Sequence, residues 1–195
     1  MKKMRLYKAL KIGYLRNENK QKKVLKKFGY ILDSDLTNNE RVVAYNPFNK
    51  KVLFIENGSE VNPLTSPYQF VKDWRSNIMN IPTGTFQYTP RYIQTQNAYL
   101  KAKQKYKDIP FYLVGHSQSA NVINDITLPT DKAYTLNGAL IKQKDNPAVR
   151  NFRIENDLVS MFANPNDMTT LYRKGIMNPL KAHNIENIRN EPIFI

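Results

Sequence analysis

The chain contains no cysteine, which excludes a disulfide framework, a thiolate zinc site and a cysteine nucleophile. Histidine is almost as scarce: His116 and His183 are the only two in 195 residues. No carboxylate cluster at ligand spacing accompanies them, so no metal centre is expected. Seven glycines are spread thinly, and none builds a phosphate loop or a dinucleotide fingerprint; no nucleotide or other cofactor is implied. No apolar run approaches the length of a membrane span, and the N-terminus lacks the apolar stretch of a signal peptide. A cytoplasmic or virion-associated protein fits these absences. Acidic residues are also short: 16 Asp and Glu face 30 Lys and Arg, a net charge of +14.

That charge is uneven. Residues 2–27 are Lys-rich and carry a single acid, Glu18. Leu6, Ala9, Leu10 and Tyr14 recur at helical spacing, so one face can pack while the other stays charged, and Lys22 to Phe28 can add a further helical turn or two before Gly29. Such a surface suits anionic lipid head groups or nucleic acid, although a solvated helix face that aids solubility is the commoner meaning of a charge run. The aromatic interleaving of a nucleic-acid module is missing.

A chain of this length is one domain's worth and can bury a substantial core. After the basic helical region to residue 28, strands are expected at 41–46 and 51–56 around an Asn46-Pro47-Phe48-Asn49 turn. Two prolines mark 60–67 as a loop that could form the rim of a site or a rudimentary lid, and Asp73-Trp74 starts a short helix or turn. Residues 81–89 read as loop and 92–107 as the best helix. Strands at 111–114, 133–137 and 150–155 alternate with helical stretches, which predicts an α/β fold with a mostly parallel sheet. Residues 164–195, with Pro165, Pro179 and Pro192, read as irregular. Trp74 and most of the twelve tyrosines are expected to pack rather than to bind ligand.

The most telling stretch is Phe111-Tyr112-Leu113-Val114-Gly115-His116-Ser117-Gln118-Ser119-Ala120. An apolar strand runs into a serine and then into a helix, the geometry of a nucleophile elbow, although a plain strand-to-helix turn has the same outline. The helix N-terminus behind the serine favours developing negative charge. His116 lies inside the turn and is poorly placed as a base. His183 is left as the candidate, downstream of the serine as the order Ser…Asp…His requires; a lone capping histidine is the plainer alternative. Between them, Asp157 follows the apolar alternation Val149, Phe152, Ile154 and is the candidate acid, with Asp167 second. Asp125 falls within the elbow helix, and Asp131 and Asp145 fall in loops.

Taken together, these segments resemble the class 3 (triacylglycerol) lipase family, members of the α/β-hydrolase superfamily. Those enzymes have a strand ending in Arg-Gly-Ser or Arg-Gly-Thr, an Asp-Trp segment, an aromatic-rich helix, a Gly-His-Ser-Leu-Gly-Gly elbow, an Asp-x-Val segment and a late histidine. Val52 to Ser59, Asp73-Trp74, Tyr92 to Tyr106, Gly115 to Ala120, Asp157-Leu158-Val159 and His183 are similar in the same order, over roughly residues 40 to 188. The chain departs from the family at Asn57, where arginine is usual, and at Gln118-Ser119-Ala120. The resemblance implies a compact α/β-hydrolase-type three-layer sandwich over residues 1–195, with a basic helical region at 1–28 and a lipase-like core at 41–188. It implies Ser117 as nucleophile, His183 as general base and acid, and Asp157 as the group orienting the imidazole. The N–H of Gln118 and that of Ser59 would form the oxyanion hole, although Ser59 is equally a serine in a Gly-Ser turn. The implied activity is hydrolysis of acyl esters or lipids, including phospholipids at anionic surfaces. The alternative is a degenerate lipase-like binding module, of a kind a virus could encode, whose basic face engages nucleic acid or another acidic partner.

Overall fold

The computed structural model describes residues 3–58, 86–138, 146–163, 168–172 and 175–195. Ser59, the 60–67 loop, Asp73-Trp74, Asp145 and Asp167 lie outside the described residues. The sheet contains β1 (Ile31–Leu32), β2 (Arg41–Asn46), β3 (Lys51–Glu56), β4 (Phe111–His116), β5 (Lys132–Leu136), β6 (Val149–Ile154) and β7 (Thr169–Leu171), side by side in chain order. The first three form an antiparallel meander, and β3 to β7 run parallel. Parallel neighbours need crossovers, and the helices supply two of them. Helix α3 (Pro90–Lys105) links β3 to β4, and α4 (Gln118–Ile126) links β4 to β5. Among the described residues the other α-helices are α1 (Leu6–Gly13), α2 (Glu18–Lys26) and the single turn α5 (Pro179–Ala182).

Central strands buried on both sides read as apolar runs, and their side chains divide between two cores. On one face Val43, Val52, Phe54, Phe111 and Leu113 meet Tyr92, Tyr99 and Ala102 of α3 and Val122 and Ile123 of α4. On the other, Val42, Ala44, Leu53, Ile55 and Val114 meet Leu6, Leu10 and Ile12 of α1, Leu25 of α2, Ala182 and Ile188. This is a three-layer α/β fold with a mostly parallel central sheet.

The expected elements match closely where their pattern is long. Helix α3 begins two residues before the expected start because Thr89 caps it, its Oγ1 accepting from Tyr92 N at 3.3 Å, with Pro90 in the first turn. The 47–50 turn closes on Asn46, whose Oδ1 accepts from Phe48 N at 3.0 Å and Asn49 N at 3.1 Å. Residues 164–195 are more regular than expected. They supply β7, α5 and a 3₁₀ turn at Ile185–Ile188, elements too short for any periodicity to register. The two-residue β1 escaped notice for the same reason.

The basic N-terminal region divides in two. Leu6, Tyr7, Ala9, Leu10, Ile12 and Gly13 of α1 are buried, making it a core helix. On α2 only Gln21 and Leu25 are buried, while Lys20, Lys22, Lys23 and Lys26 are exposed. Among the described residues no helix is long and apolar enough to cross a membrane.

Candidate active site

The parallel strands all end on one side, and the segments that follow β3, β4, β5 and β6 converge there. After β4 the chain turns at Ser117, with φ 59° and ψ −128°, before entering α4. A positive φ is strained for a residue with a Cβ and persists only where the surroundings impose it. Here Ser117 N donates to Leu136 O at 2.9 Å and Ala120 N donates to Ser117 O at 3.0 Å. Gly115 is required by close approach: a Cβ there would lie 2.9 Å from Ser119 O and 3.0 Å from Ala120 Cα. Ser119, one of the departures in the elbow, is fully buried and useful. Its hydroxyl accepts His116 N–H at 2.9 Å and lies 2.7 Å from Glu56 O and 2.9 Å from His116 O, tying the turn to the end of β3. Ser117 itself is buried, and its side chain does not cap α4. Gln118 opens that helix, so its N–H lies at the positive end of the helix dipole, beside the serine.

Strand β3 delivers the neighbouring wall. Glu56 pairs with Gly115 across the parallel ladder, so Asn57 and Gly58 step off the sheet beside His116 and Ser117. Gly58 is pressed against the elbow: a Cβ there would meet His116 O at 2.8 Å and Ser117 Cβ at 3.0 Å. Asn57, the other departure, donates from Nδ2 to Gly13 O at 2.6 Å, which pins the end of α1 to the end of β3. Its own carbonyl accepts from Arg91 of α3.

Asp157 follows β6 after a turn at Asn156 and is 1% exposed. Its Oδ2 accepts from Ser160 N at 2.7 Å, and its Oδ1 lies 2.6 Å from His183 Nδ1. His183, 4% exposed, sits at the C-terminal end of α5, which Asn178 starts by accepting from Leu180 N and Lys181 N. The structure thus brings together two of the expected site residues that lie 26 positions apart. A proton on Nδ1 shared with a carboxylate leaves the lone pair on Nε2, as a general base requires. The rival acids have other partners. Asp125 accepts from Tyr92 and Gln87, and Asp131 from Tyr99, Lys103 and Phe111 N.

Three contacts were not foreseen from the chain. His116 lies against His183, ring centroids 4.8 Å apart, with its Nε2 3.1 Å from His183 O. Tyr14, just past α1, places its hydroxyl 2.7 Å from His116 Nδ1 and accepts Gly58 N–H at 3.1 Å. Asn137, at φ 54° after β5, donates to His183 O at 3.4 Å and accepts from Ile154 N at 2.8 Å. Burial, reinforced by His183, pushes the His116 imidazole down to about 3, and burial pushes the Tyr14 phenol up to about 12, so both stay neutral. Among the described residues no group of three or more metal-ligating side chains occurs.

No protein-family model and no curated protein sequence matches the chain. Solved structures do. The Lip2 lipase from Yarrowia lipolytica superposes with a TM-score of 0.50 at 13% identity, over 79% of this chain and 70% of the lipase. A deletion mutant of the Rhizomucor miehei lipase propeptide complex gives a TM-score of 0.51 at 11% identity, over 86% of this chain and 65% of that one. At these identities the likeness is one of fold: the sheet and its helices have a lipase-like α/β arrangement.

Proposed function

We propose that the protein is a serine hydrolase that cleaves acyl esters through an acyl-enzyme. The observation that carries this reading is the buried Asp157–His183 pair, 2.6 Å apart, held against the strained turn that bears Ser117. In the reaction, His183 Nε2 removes the proton from Ser117 Oγ as that oxygen attacks the substrate carbonyl. Asp157 holds the ring through Nδ1 and balances the imidazolium. The carbonyl oxygen becomes an oxyanion that accepts from the Gln118 and Ser59 amides. Collapse of the tetrahedral adduct expels the alcohol, which takes the proton from His183. Water, deprotonated by the same ring, then attacks the acyl-enzyme and releases the acid, regenerating the Ser117 hydroxyl. Lipid esters are the substrate class favoured by the fold likeness, and the exposed lysines of α2 suit an anionic lipid surface.

Treatment with a fluorophosphonate probe, followed by peptide mapping, tests the reading. The expected result is an adduct on Ser117 in the wild type and none in Ser117→Ala or His183→Ala, with p-nitrophenyl butyrate turnover lost in parallel. A folded wild type that neither labels nor hydrolyses short esters would instead make the chain a binding module on a lipase-like scaffold.

A further inference from the structure

Tyr14 and His116 form a chain of hydrogen bonds whose proton order can be worked out. Gly58 N–H donates to the Tyr14 hydroxyl at 3.1 Å, using one of that oxygen's two lone pairs. The same oxygen lies 2.7 Å from His116 Nδ1. The direction is set at the far side of the ring: His116 Nε2 lies 3.1 Å from His183 O, a carbonyl that can only accept, so the one proton of the neutral ring sits on Nε2. His116 Nδ1 is then bare, and Tyr14 donates its phenolic proton to it. Each bond demands the next in the one direction that satisfies all of them. The participants come from four separate places in the chain: the end of α1, the end of β3, the elbow, and the segment carrying His183.

We infer that Tyr14 and His116 are positioning residues, with one tyrosine hydroxyl selecting the His116 tautomer that clamps the base segment while it holds the end of β3 at Gly58. The inference rests on the hydrolase reading above and deepens it, because it identifies what keeps His183 in register with Ser117. The geometry favours this over simple space-filling. His116 is 6% exposed, its ring faces His183 at 4.8 Å, and both its nitrogens are committed. A Cβ at Gly58 would lie 2.9 Å from the Tyr14 hydroxyl and 3.0 Å from Ser117 Cβ, so this strand end is packed between the two. Asn137 supplies a second, longer bond to His183 O at 3.4 Å, so the clamp is shared and its loss is graded rather than total.

The test uses the full chain labelled with ¹⁵N. With only two histidines, long-range imidazole spectra contain two ring systems, and both tautomers are read directly. The expected wild-type result is His116 protonated on Nε2 and a far-downfield His183 Nδ1 proton shared with Asp157. Tyr14→Phe and His116→Phe keep the ring volumes and remove the bonds. In both, the His183 Nδ1 signal should broaden or vanish, and kcat for p-nitrophenyl butyrate should fall roughly 10- to 30-fold, with KM changed less than about threefold. His116→Gln can restore the donor to His183 O and should recover at least about a third of the wild-type kcat; it keeps the test decisive if the Phe variants fold poorly.

A wild-type His116 protonated on Nδ1 overturns the inference. So do folded Phe variants with an unchanged His183 signal and kcat within about twofold of wild type, and so does a His116→Gln variant no better than His116→Phe. If the wild type shows the tautomer and the coupled His183 signal but turns over no ester, the coupling stands and it is the hydrolase reading that fails.

Discussion

Two buried carboxylates, Glu56 and Asp157, sit at or just past the C-terminal ends of two parallel strands of the same sheet and lead different lives. Glu56 ends β3 with no exposure, and Asp157 follows β6 with 1%. Both have a cationic or basic partner at similar distance: Arg41 Nε at 2.8 Å from Glu56, and His183 Nδ1 at 2.6 Å from Asp157. Glu56 also accepts from Thr95 at 3.1 Å, and Arg91 stands 3.9 Å away. Burial holds the Glu56 carboxyl above its usual range, although the Arg41 and Arg91 guanidiniums pull the other way. A guanidinium does not release its proton, so this cluster is a fixed joint between β2, β3 and α3. An imidazole, unlike a guanidinium, can both take up and give back a proton, so the Asp157 pair is suited to chemistry. Burial and bond length are alike in the two; the titratability of the partner separates joint from site.

The sharpest way to break that comparison is to neutralise each carboxylate in turn. Asp157→Asn is expected to reduce ester turnover by roughly 10³- to 10⁴-fold with a modest change in stability, because the amide can still accept from Ser160 but offers His183 no charge. Glu56→Gln should do the reverse: it leaves Arg41 buried without a counter-charge, costing about 3–5 kcal/mol of unfolding free energy, while turnover per folded molecule stays within about threefold. Urea titration beside steady-state kinetics measures both, and a Glu56→Gln enzyme that is stable but inactive would collapse the distinction.

A smaller effect sharpens it with pH. His116 titrates near 3 when folded and near 6.5 when unfolded, chiefly through burial, with His183 adding to the depression and Asp157 opposing it. Below pH 6.5 the unfolded chain therefore binds a proton that the folded one refuses, and this group's stability contribution is lost as pH falls towards 3 at about 1.4 kcal/mol per unit. Between pH 7 and 4 the wild type should lose about 3 kcal/mol more than His116→Phe, a difference in which the carboxylates remote from His116 cancel. Equal losses in denaturant titrations at the two pH values would show that His116 is charged in the native state.

The smallest expected change concerns the surface. Replacing Lys20, Lys23 and Lys26 of α2 by glutamine should move stability by no more than about 0.5 kcal/mol, because these side chains are exposed. Sedimentation with phosphatidylglycerol vesicles should fall several-fold if α2 meets an anionic surface. Undiminished sedimentation would assign membrane contact, if any, to another face.

What could be read from the chain follows the range of the interaction. The strand–Ser117–helix turn is local, and Gly115 before it marks the close approach that the structure requires. Central strands such as Val52–Ile55 and Phe111–Val114 were legible as apolar runs because both faces of the sheet are covered. Chain order and elimination nominated Asp157 and His183, and the two side chains do meet. Tyr14 could not be found this way: helical spacing marked it as a packing position, and nothing local signals that its hydroxyl lies 102 residues along from its partner His116. Asn137 was invisible for the same reason, since a single asparagine after a strand looks like any turn.

The pattern of apolar residues thus indicated an α/β fold with a mostly parallel sheet, while a short motif, chain order and the scarcity of histidine nominated the serine turn and the candidate acid and base, because periodicity and short motifs express local backbone and burial preferences. Only the tertiary structure decided that α1 is a core helix rather than a charged appendage. It also decided that Ser119 anchors the turn, and that His116, already set aside as a base by its place in the turn, meets the His183 carbonyl. Those outcomes depend on which hydrogen-bonding groups are buried together, and a buried donor or acceptor must find its partner wherever in the chain that partner lies.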